Sequence, residues 1–481
     1  MPRTEGPYRV AVMGGGIAGL ATTLHLLDAA SAEGLPLQVV IHEAEDAPGG
    51  HLRTLVDDGW QIEWGPNGFL DNEPATLRLV DRVGLRHALV RSTDAARRRF
   101  LMKAGRLHEL PTSPGTFLKT GLLRWHDKLR VAGEIFVPAR RGFDPAVDPE
   151  HDETIDEFGT RRLGAEFAAM FLDPMVKGIF GGDSRQLSLA AAFPRMVELE
   201  RDHGGLFKAL AAISKQRRRA AEAGPAGVLH SFEGGMADMI EGLAATLNKD
   251  DRVELRTGDP IRSLRRDGDR WLINDGGEPS DAVIGAAPAH ATAPVVPDPI
   301  LSDELDGIGY VPMAVITLGF RRADVGHDLD GFGHLVPTRE NRRLLGALWT
   351  SSIFPGRSPD GSVLLRCMTG GPLDPDILSL SDDELKATAL SELRGLLDLR
   401  GDPVKSWIIR HPNAIAQYRP GHLARLRRIE ARLAVLPGLT LTGSSYHGIS
   451  VNHCAKEAES AAARVLANLQ VIGPSSVGGP R

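Results

Sequence analysis

Three glycines near the start of the chain have the spacing of a phosphate-binding turn. Gly14, Gly16 and Gly19 occupy the G-x-G-x-x-G positions, and Glu43 follows 24 residues after the last of them. In such a turn the first glycine allows the tight bend, the second lets the backbone approach a pyrophosphate, and the third lets a helix pack closely on a strand. A carboxylate placed like Glu43 accepts hydrogen bonds from a ribose hydroxyl. These residues predict dinucleotide binding, and by themselves they do not distinguish NAD from FAD.

The elements around these glycines are the ones that such a turn requires. Arg9–Met13 and Leu37–Ile41 are short apolar runs typical of strands, and Leu20, Leu24 and Leu27 recur between them at helical spacing. Two apolar strands joined by a helix indicate a parallel βαβ unit, with the phosphates at the positive N-terminus of the helix. We therefore expect an α/β, Rossmann-like fold in this part of the chain.

Composition excludes several other classes of protein. The net charge of the 481 residues is −6, so no overall basic field favours a nucleic-acid partner. The two cysteines lack metal-site spacing, the 16 histidines include no HExxH, and no nucleophile elbow marks a catalytic triad, so we expect no metal site. The N-terminus lacks a signal-peptide pattern, and no run approaches the roughly 18 apolar residues of a membrane span. We expect a cytoplasmic protein.

The rest of the chain alternates between strand-rich and helix-rich patterns. Val311–Phe320 and Ser362–Met368 indicate strands of a second sheet, and Leu439–Thr442 returns to a strand that precedes a glycine turn and a helix. Residues 97–217 are basic and mostly helical in pattern. Within them, Phe117–Val137 mixes apolar and basic residues, which fits either a surface helix covering the core or a face for a membrane or for substrate entry.

Longer motifs connect the chain to a known family. After Glu43 the sequence reads EAEDAPGGHLRT and then GWQIEWGPNGF, which resembles the fingerprint of amine-oxidase-like flavoproteins. Later motifs resemble those of the oxygen-dependent protoporphyrinogen oxidase family in the family's order: GIFGG, FEGGM, GFGHLVP, LGALWTSSIFP, AIAQYRPGH and GSSYHGISVNHC. The resemblance covers nearly the whole chain.

This resemblance implies an FAD-binding fold with two dinucleotide-binding motifs, a mixed-sheet substrate domain and a helical domain that rests peripherally on a membrane. The implied domains are residues 8–92, 226–290 and 410–472 for FAD, 291–409 for the substrate, 93–217 for the helical part and 473–481 as a disordered tail. The implied reaction removes six electrons pairwise from a tetrapyrrole, protoporphyrinogen IX, and passes them through FAD to O2, which yields hydrogen peroxide. Because the flavin carries this chemistry, no catalytic side chain is expected.

The glycine turn and the family motifs together give the expected cofactor contacts. They are Gly14, Gly15, Gly16, Ile17, Ala18, Gly19, Glu43, Ala44, Gly49, Gly50, His51, Gly65, Pro66, Asn67, Val253, His411, Gly443, Ser444, Gly448, Ile449, Ser450 and Val451.

Four further residues match substrate positions of the family. Arg99, the last of three consecutive arginines, is the expected partner of a propionate, because a guanidinium pairs bidentately with a carboxylate. The resemblance implies that Trp349 stacks on the macrocycle, that Leu335 lines the pocket and that Gly178 leaves room for the ring. The alternatives are a solvated charge run for Arg99, core packing for Trp349 and Leu335, and an ordinary turn for Gly178.

Some positions depart from the family pattern, so the substrate is less firmly implied than the cofactor. His51, His411, Ala416 and His453 replace residues that are usual there. Two other substrates stay open: coproporphyrinogen III, which extra basic residues in the pocket would favour, and another metabolite of a tailoring flavin oxidase. A homodimer also stays open.

Overall fold

A parallel sheet of five strands forms the first layer of the protein. The computed structural model describes residues 6–140, 142, 144–220, 227–274 and 276–472. In spatial order the strands are Val253–Arg256, Leu37–His42, Tyr8–Met13, Ala282–Gly285 and Leu439–Leu441. Helix Ile17–Ala32 packs between this sheet and helix Val451–Ile472, which is why it is apolar around most of its circumference. The expected parallel βαβ unit is confirmed.

A mixed sheet of seven strands forms a second layer. In spatial order its strands are Lys405–Ala416, Tyr310–Arg321, Ser362–Gly370, Leu344–Trp349, Gly333–Leu335, Phe100–Lys103 and Arg106–Glu109. The pair Gly333–Leu335 and Phe100–Lys103 is parallel, and the other neighbours are antiparallel. The separate second sheet expected from the sequence is therefore present.

Residues of the seven-stranded sheet alternate between two faces, because strand side chains have a period of two. The back face is covered by helix Asp382–Leu397, which buries Leu385 and Leu393 against Leu365 and Cys367. The front face, on the other side, meets a hairpin of strands Thr54–Asp57 and Trp60–Glu63. Trp60 and Ile62 of this hairpin pack against Val315, Leu364 and Ile409.

Smaller elements complete the structure. Strands Phe69–Leu70, Leu229–Phe232 and Leu89–Arg91 form one small sheet, and Leu264–Asp267 pairs with Arg270–Ile273 in a hairpin. The remaining α-helices of the described residues are Pro74–Arg82, Pro114–Lys119, Trp125–Ala132, Ile155–Leu163, Ala165–Phe167, Asp173–Phe180, Leu189–Ala192, Pro194–His203, Leu206–Ala220, Ala237–Leu247, Ala289–Thr292, Pro299–Asp306, Thr350–Ile353 and His422–Leu433.

The segment with the mostly helical pattern, residues 97–217, needs a correction at its start. Phe100–Lys103 and Arg106–Glu109 are strands of the seven-stranded sheet, because Phe100 and Leu101 pair with a strand more than 200 residues later in the chain. The domain boundaries stay predictions. The predicted disordered tail, residues 473–481, lies outside the described residues.

Phe117–Val137 does not form one continuous helix. Helix Pro114–Lys119 ends where Thr120 turns extended, and helix Trp125–Ala132 follows. This segment buries Leu122 and Leu123 in a small apolar cluster, as expected of a covering element. Among the described residues, no helix combines the length and apolar character needed to cross a bilayer.

Candidate functional site

The glycine turn has the geometry that close approach of a phosphate requires. Gly14 has a φ of 106°, and a Cβ on Gly19 would collide with the Gly14 carbonyl oxygen. Both positions therefore exclude larger residues. Helix Ile17–Ala32 begins directly after Gly16, so its first free N–H groups, including those of Ile17 and Ala18, lie at the turn and favour an anion there.

Glu43 connects the end of strand Leu37–His42 to this turn. Its Oε2 accepts a hydrogen bond from Gly15 N at 2.7 Å, and its Oε1 accepts one from Glu45 N at 2.9 Å. A carboxylate offers about four acceptor positions, so two remain for a ribose. Ala44 follows as a buried residue, and Val253 lies beside Val39 in the neighbouring strand. Val39 lies four residues before Glu43, so the structure brings Glu43 and Ala44 to the turn but leaves Val253 at the far end of its strand.

The second group of candidates lies directly beside the turn. Gly49 N donates to Gly15 O at 3.0 Å, and Gly16 and Gly49 form an isolated parallel bridge. Gly50 has a φ of 56°, and a Cβ on Gly65 would collide with the carbonyl oxygen of His51. The segments Gly49–His51 and Gly65–Asn67 therefore pack backbone against backbone, which only glycine permits.

His411 joins this group from the seven-stranded sheet. Its ring lies 5.2 Å from that of His51 in an edge-to-face arrangement, and its Nε2 donates to Trp64 O at 3.0 Å. His51 keeps solvent exposure on the side that His411 and Arg53 do not cover. Burial, helped by His411 and Arg53, lowers the pKa of His51 to about 4, and burial also lowers the pKa of His411. Both imidazoles are therefore neutral at pH 7, so these departures from the family pattern add no charge.

The C-terminal candidates lie at the start of the first helix. Gly443 has a φ of 109°, and a Cβ there would lie 3.6 Å from Ala18. Tyr418 ties the loop together, since its hydroxyl donates to Ser444 O and accepts from Gly448 N. Ile449, Ser450 and Val451 continue from this loop into helix Val451–Ile472.

Buried polar atoms without partners surround the Gly65–Asn67 segment. Among the described residues, the side-chain Oδ1 and Nδ2 of Asn67 and the Nε of Arg366 and of Arg53 have no hydrogen-bond partner. Such orphaned groups are costly in a native protein unless a ligand satisfies them. A flavin ring system carries carbonyl and ring-nitrogen acceptors and one N–H donor, so the residues present fit the flavin dinucleotide that the sequence predicted.

Arg366 is a cofactor-side residue that the sequence analysis does not identify. It is 6% exposed on the front face, and its guanidinium donates to Gly65 O at 2.6 Å. Burial lowers its pKa to about 10 and raises the pKa of nearby Glu63 to about 6. The sequence offered one signal for this residue, an arginine inside the apolar strand SVLLRCM. A buried arginine is rare unless a partner satisfies its charge.

Three of the four substrate candidates fall on or beside the front face. A Cβ on Gly178 would lie 2.7 Å from Leu335 Cδ2, so helix Asp173–Phe180 sits directly on Leu335. Leu335 is opposite Gly346 and beside Leu101. Arg99, just before strand Phe100–Lys103, is exposed and stacks on the Phe332 ring at 5.0 Å.

The neighbours of Arg99 distinguish it from the other two arginines. Arg97 pairs with Asp94, and Arg98 pairs with both Glu109 and Asp330. Within the described part of the chain, Arg99 has no carboxylate at ion-pair distance. Its guanidinium is therefore available for an external carboxylate.

Trp349 is not brought to this face. It is fully buried on the back face, where its ring lies 5.3 Å from that of Phe100 and 4.9 Å from that of His327. The alternation of the strand directs Trp349 and Leu348 to opposite sides. We therefore leave Trp349 out of the proposed substrate site and assign it to core packing.

Comparison with known proteins agrees with this geometry. The family model for flavin containing amine oxidoreductases matches residues 17–466. The chain is 34% identical to protoporphyrinogen oxidase of Bos taurus, covering 95% of this chain and 98% of that protein. It is 27% identical to coproporphyrinogen III oxidase of Bacillus subtilis, covering 97% and 99%. Among solved structures, an Exiguobacterium sp. 255-15 protein named as a candidate protoporphyrinogen oxidase matches with a TM-score of 0.79 and 26% identity, covering 96% and 99%.

Proposed function

Because the chain belongs to the flavin-containing amine oxidoreductase family and binds FAD, we propose that it oxidises protoporphyrinogen IX to protoporphyrin IX. The reaction removes six electrons and six protons in three steps. Each electron pair reduces one O2 to hydrogen peroxide, so three molecules of peroxide form per porphyrin. FAD supplies the redox chemistry, and the chain supplies binding, orientation and electrostatics.

The observation that carries this proposal is the composition of the front face. Leu335 fills the space at Gly178, so helix Asp173–Phe180 and Leu335 together form a closely packed apolar surface, which suits a large flat ring. Arg99 stands at its edge with an available guanidinium, which suits a propionate. The Gly65–Asn67 segment with its orphaned polar atoms adjoins the same face through Arg366, which supports a cofactor side that neighbours the substrate side.

The side chains of the site have distinct tasks under this proposal. Leu335 and Gly178 position the ring, and Arg99 holds a carboxylate remote from the reacting carbons. Neutral His51 and His411 border the cleft without adding charge.

Coproporphyrinogen III is a second candidate substrate. It undergoes the same oxidation but carries four carboxylates, and relatives of both kinds match this chain over nearly its full length. A cavity beside helix Asp173–Phe180 with Lys177, Arg342 and Arg343 in its wall favours this candidate.

Anaerobic mixing with each porphyrinogen tests the function. We expect protoporphyrinogen IX to bleach the flavin absorbance, and air to restore it with release of peroxide. Purified protein should hold about one FAD per chain. A flavin that stays oxidised with both porphyrinogens yet is bleached by a simple amine would assign the chain to a tailoring amine oxidase.

We also propose that the helical segment rests on a membrane surface. Leu118, Trp125, Leu129 and Phe136 are between 62% and 83% exposed, although large apolar side chains are usually buried. They lie on helices Pro114–Lys119 and Trp125–Ala132 and on the short 3₁₀ helix Gly133–Phe136 that follows. Lysines and arginines flank them in FLKTGLLRWHDKLR, as in segments that bind anionic lipid headgroups.

Sedimentation with anionic phospholipid vesicles tests this attachment. Wild-type protein should sediment with the vesicles, and a Trp125→Ser/Phe136→Ser variant should remain in the supernatant. Leu55→Ser/Val56→Ser, which changes two exposed apolar residues of a distant hairpin, is the matched control and should still bind. Equal binding by all three proteins, or none by wild type, would reject the membrane face.

A further inference from the structure

A cavity of about 320 Å³ lies beside the end of helix Asp173–Phe180. Its wall includes Lys177 and Gly181 from that helix end, the consecutive residues Arg342 and Arg343 from a loop, and Leu345 from the seven-stranded sheet. No residue of this cavity belongs to the cofactor or substrate contacts assigned above, although Lys177 directly precedes Gly178.

Lys177 is the buried charge of this cavity. The side chain is 5% exposed, and its Nζ donates to Val336 O at 3.1 Å. An ammonium group has three N–H donors, so a single backbone acceptor leaves it incompletely satisfied. In the described part of the chain no carboxylate lies within ion-pair distance of it. A buried cation in this state is stabilised by an anion that enters the cavity.

The nearest carboxylates are already bound to other groups. Asp173 accepts from both the N–H and the hydroxyl of Thr338, and Asp183 pairs with Arg185. Glu392 accepts from the backbone N–H groups of residues 343 and 344. These carboxylates hold the walls together and leave the Lys177 ammonium facing the cavity.

The two arginines add to the positive charge. Arg343 forms a bidentate pair with Asp374, which also lines the cavity. Arg342 is exposed and has no carboxylate partner among the described residues. The lining therefore carries three cationic side chains against one acidic one, so it favours a negatively charged ligand.

The cavity lies next to the proposed position of the macrocycle, on the side away from Arg99. Val336, which binds Lys177, directly follows Leu335 in the chain, and Gly178 touches Leu335. Leu345 belongs to the strand on one side of Leu335, whereas Arg99 precedes the strand on its other side.

The partition between the cavity and the front face is thin. Leu345 packs with Met313, and a Cβ on Gly181 would lie 2.6 Å from Met313 Sδ. Met313 is opposite His411 in the sheet, so it lines the front face. A methionine side chain is flexible and adapts to irregular neighbours. The Met313 side chain can therefore move aside to let a substituent of the ligand enter the cavity.

We propose that this cavity is a carboxylate subsite for the porphyrinogen, at the ring edge opposite the one that Arg99 holds. This inference rests on the proposed function. Protoporphyrinogen IX carries its two propionates on adjacent pyrroles and has vinyl groups on the other two, whereas coproporphyrinogen III carries a propionate on every pyrrole. The subsite therefore accepts propionates that only the tetracarboxylate offers, and the chain binds coproporphyrinogen III more tightly than protoporphyrinogen IX.

Substitution of the two unpaired cations tests the subsite. Lys177→Met keeps the length of the side chain and removes its charge, and we expect KM for coproporphyrinogen III to rise about tenfold, since a charge-assisted hydrogen bond is lost. Arg342→Gln should raise it about threefold, because an exposed charge is screened by solvent. For both variants, kcat and the KM for protoporphyrinogen IX should stay within about twofold of wild type.

A binding measurement gives a second readout that needs no turnover. The Kd of coproporphyrin III, followed by quenching of its fluorescence, should rise in both variants by the same factors as KM, and Lys177→Arg should recover most of the affinity. Arg339→Gln is the matched control, because Arg339 lies in the same loop, pairs with Glu166 and does not line the cavity. If Lys177→Met fails to fold, the Kd of coproporphyrin III for Arg342→Gln alone decides whether the cavity is a carboxylate subsite.

Each alternative result separates the subsite from the proposed function. Wild type that oxidises neither porphyrinogen would reject the function, while the coproporphyrin III affinities would still test the subsite. Unchanged affinities in both variants, or equal losses for both porphyrins, would overturn the subsite. Thermal stabilisation by inorganic phosphate that disappears in Lys177→Met while the porphyrin affinities stay unchanged would show that the cavity holds a free anion, which also overturns the proposal.

Discussion

The two faces of the seven-stranded sheet use the same strands and have opposite properties. The back face packs Leu365, Cys367 and Trp349 into a dry core under helix Asp382–Leu397. The front face instead carries a buried charge at Arg366 and the imidazole of His411. Buried polar atoms without partners occur on both faces, as at Arg366 Nε on the front and Trp349 Nε1 on the back, so the faces differ in charge rather than in unsatisfied groups.

The difference shows how one strand serves stability and ligand binding at once. Because side chains alternate with a period of two, neighbours such as Leu348 and Trp349 belong to different faces. A substitution on the back face should therefore reduce the free energy of unfolding and leave binding intact. A substitution on the front face should weaken binding and reduce the free energy of unfolding less.

The largest expected effect is on the back face. Trp349→Ala removes a fully buried indole, so the free energy of unfolding should fall by about 3–5 kcal/mol in urea titrations. Leu348→Ala, one residue earlier and only half-buried, should cost about 1–2 kcal/mol. Unchanged stability of Trp349→Ala together with a raised KM would mean that the indole contacts the substrate after all.

The next effect concerns the rim of the front face. Arg99→Ala should reduce kcat/KM by about 10-fold to 150-fold, mostly through KM, because the carboxylate is held equally in the ground and transition states. Arg99→Lys should recover part of the loss, since lysine keeps the charge and lacks the bidentate fork.

Arg97→Ala is the control for Arg99, because Arg97 already pairs with Asp94 on the surface. It should leave steady-state kinetics nearly unchanged. Equal small effects at Arg97 and Arg99 would identify the arginine run as a solvated surface.

Arg366→Met separates cofactor binding from stability. Losing the donor to Gly65 O should raise the Kd of FAD about tenfold in titrations of the apoprotein. The apoprotein itself should unfold at the same or a higher urea concentration, because a buried charge is replaced by an apolar side chain of similar volume.

Arg357→Met is the matched control for Arg366. This arginine is equally buried, but it donates to Ser231 and to Phe232 O, away from the Gly65–Asn67 segment. It should change the urea stability in the same direction as Arg366→Met and leave the Kd of FAD unchanged. An equal loss of FAD affinity in both variants would mean that Arg366 acts through the fold in general.

The smallest expected effect is on the pH dependence of the free energy of unfolding. It compares a histidine of the back face with a histidine of the cofactor side. Burial lowers the pKa of His334, on the back face, to about 4, below the 6.5 of an unfolded histidine. The unfolded chain therefore takes up a proton more readily between these values. The contribution of neutral His334 to the free energy of unfolding is fully present above pH 6.5. It is lost as the pH falls toward 4, by at most about 1.4 kcal/mol per pH unit.

His334→Gln should reduce the change of the free energy of unfolding with pH, measured by urea titrations between pH 6.5 and 4. His51→Gln should flatten it less, although burial also lowers the pKa of His51 to about 4, because water reaches His51 from the cleft. Identical slopes in wild type and His334→Gln would show that His334 is not neutral in the folded protein.

The nucleotide-binding turn could be predicted from the sequence because its determinants are local. Gly14 and Gly19 meet within a few residues, and Glu43 follows on the adjacent strand, so backbone geometry alone brings them together. The family motifs likewise indicated the flavin cofactor, and the apolar runs Val311–Phe320 and Ser362–Met368 indicated strands of a second sheet, since motifs and strand patterns are local in the chain.

The face to which each strand residue points was decided only by the tertiary structure. Trp349 and Leu335 come from equally apolar motifs, and only the pairing register and the position of helix Asp382–Leu397 assign one to the core and the other to the front face. Phe100 joins its strand partner from more than 200 residues away, which no local pattern encodes. Lys177 and Arg342 are far apart in the chain and line the same cavity. Only the tertiary structure brings these two charges together, because long-range packing decides which residues surround a charge.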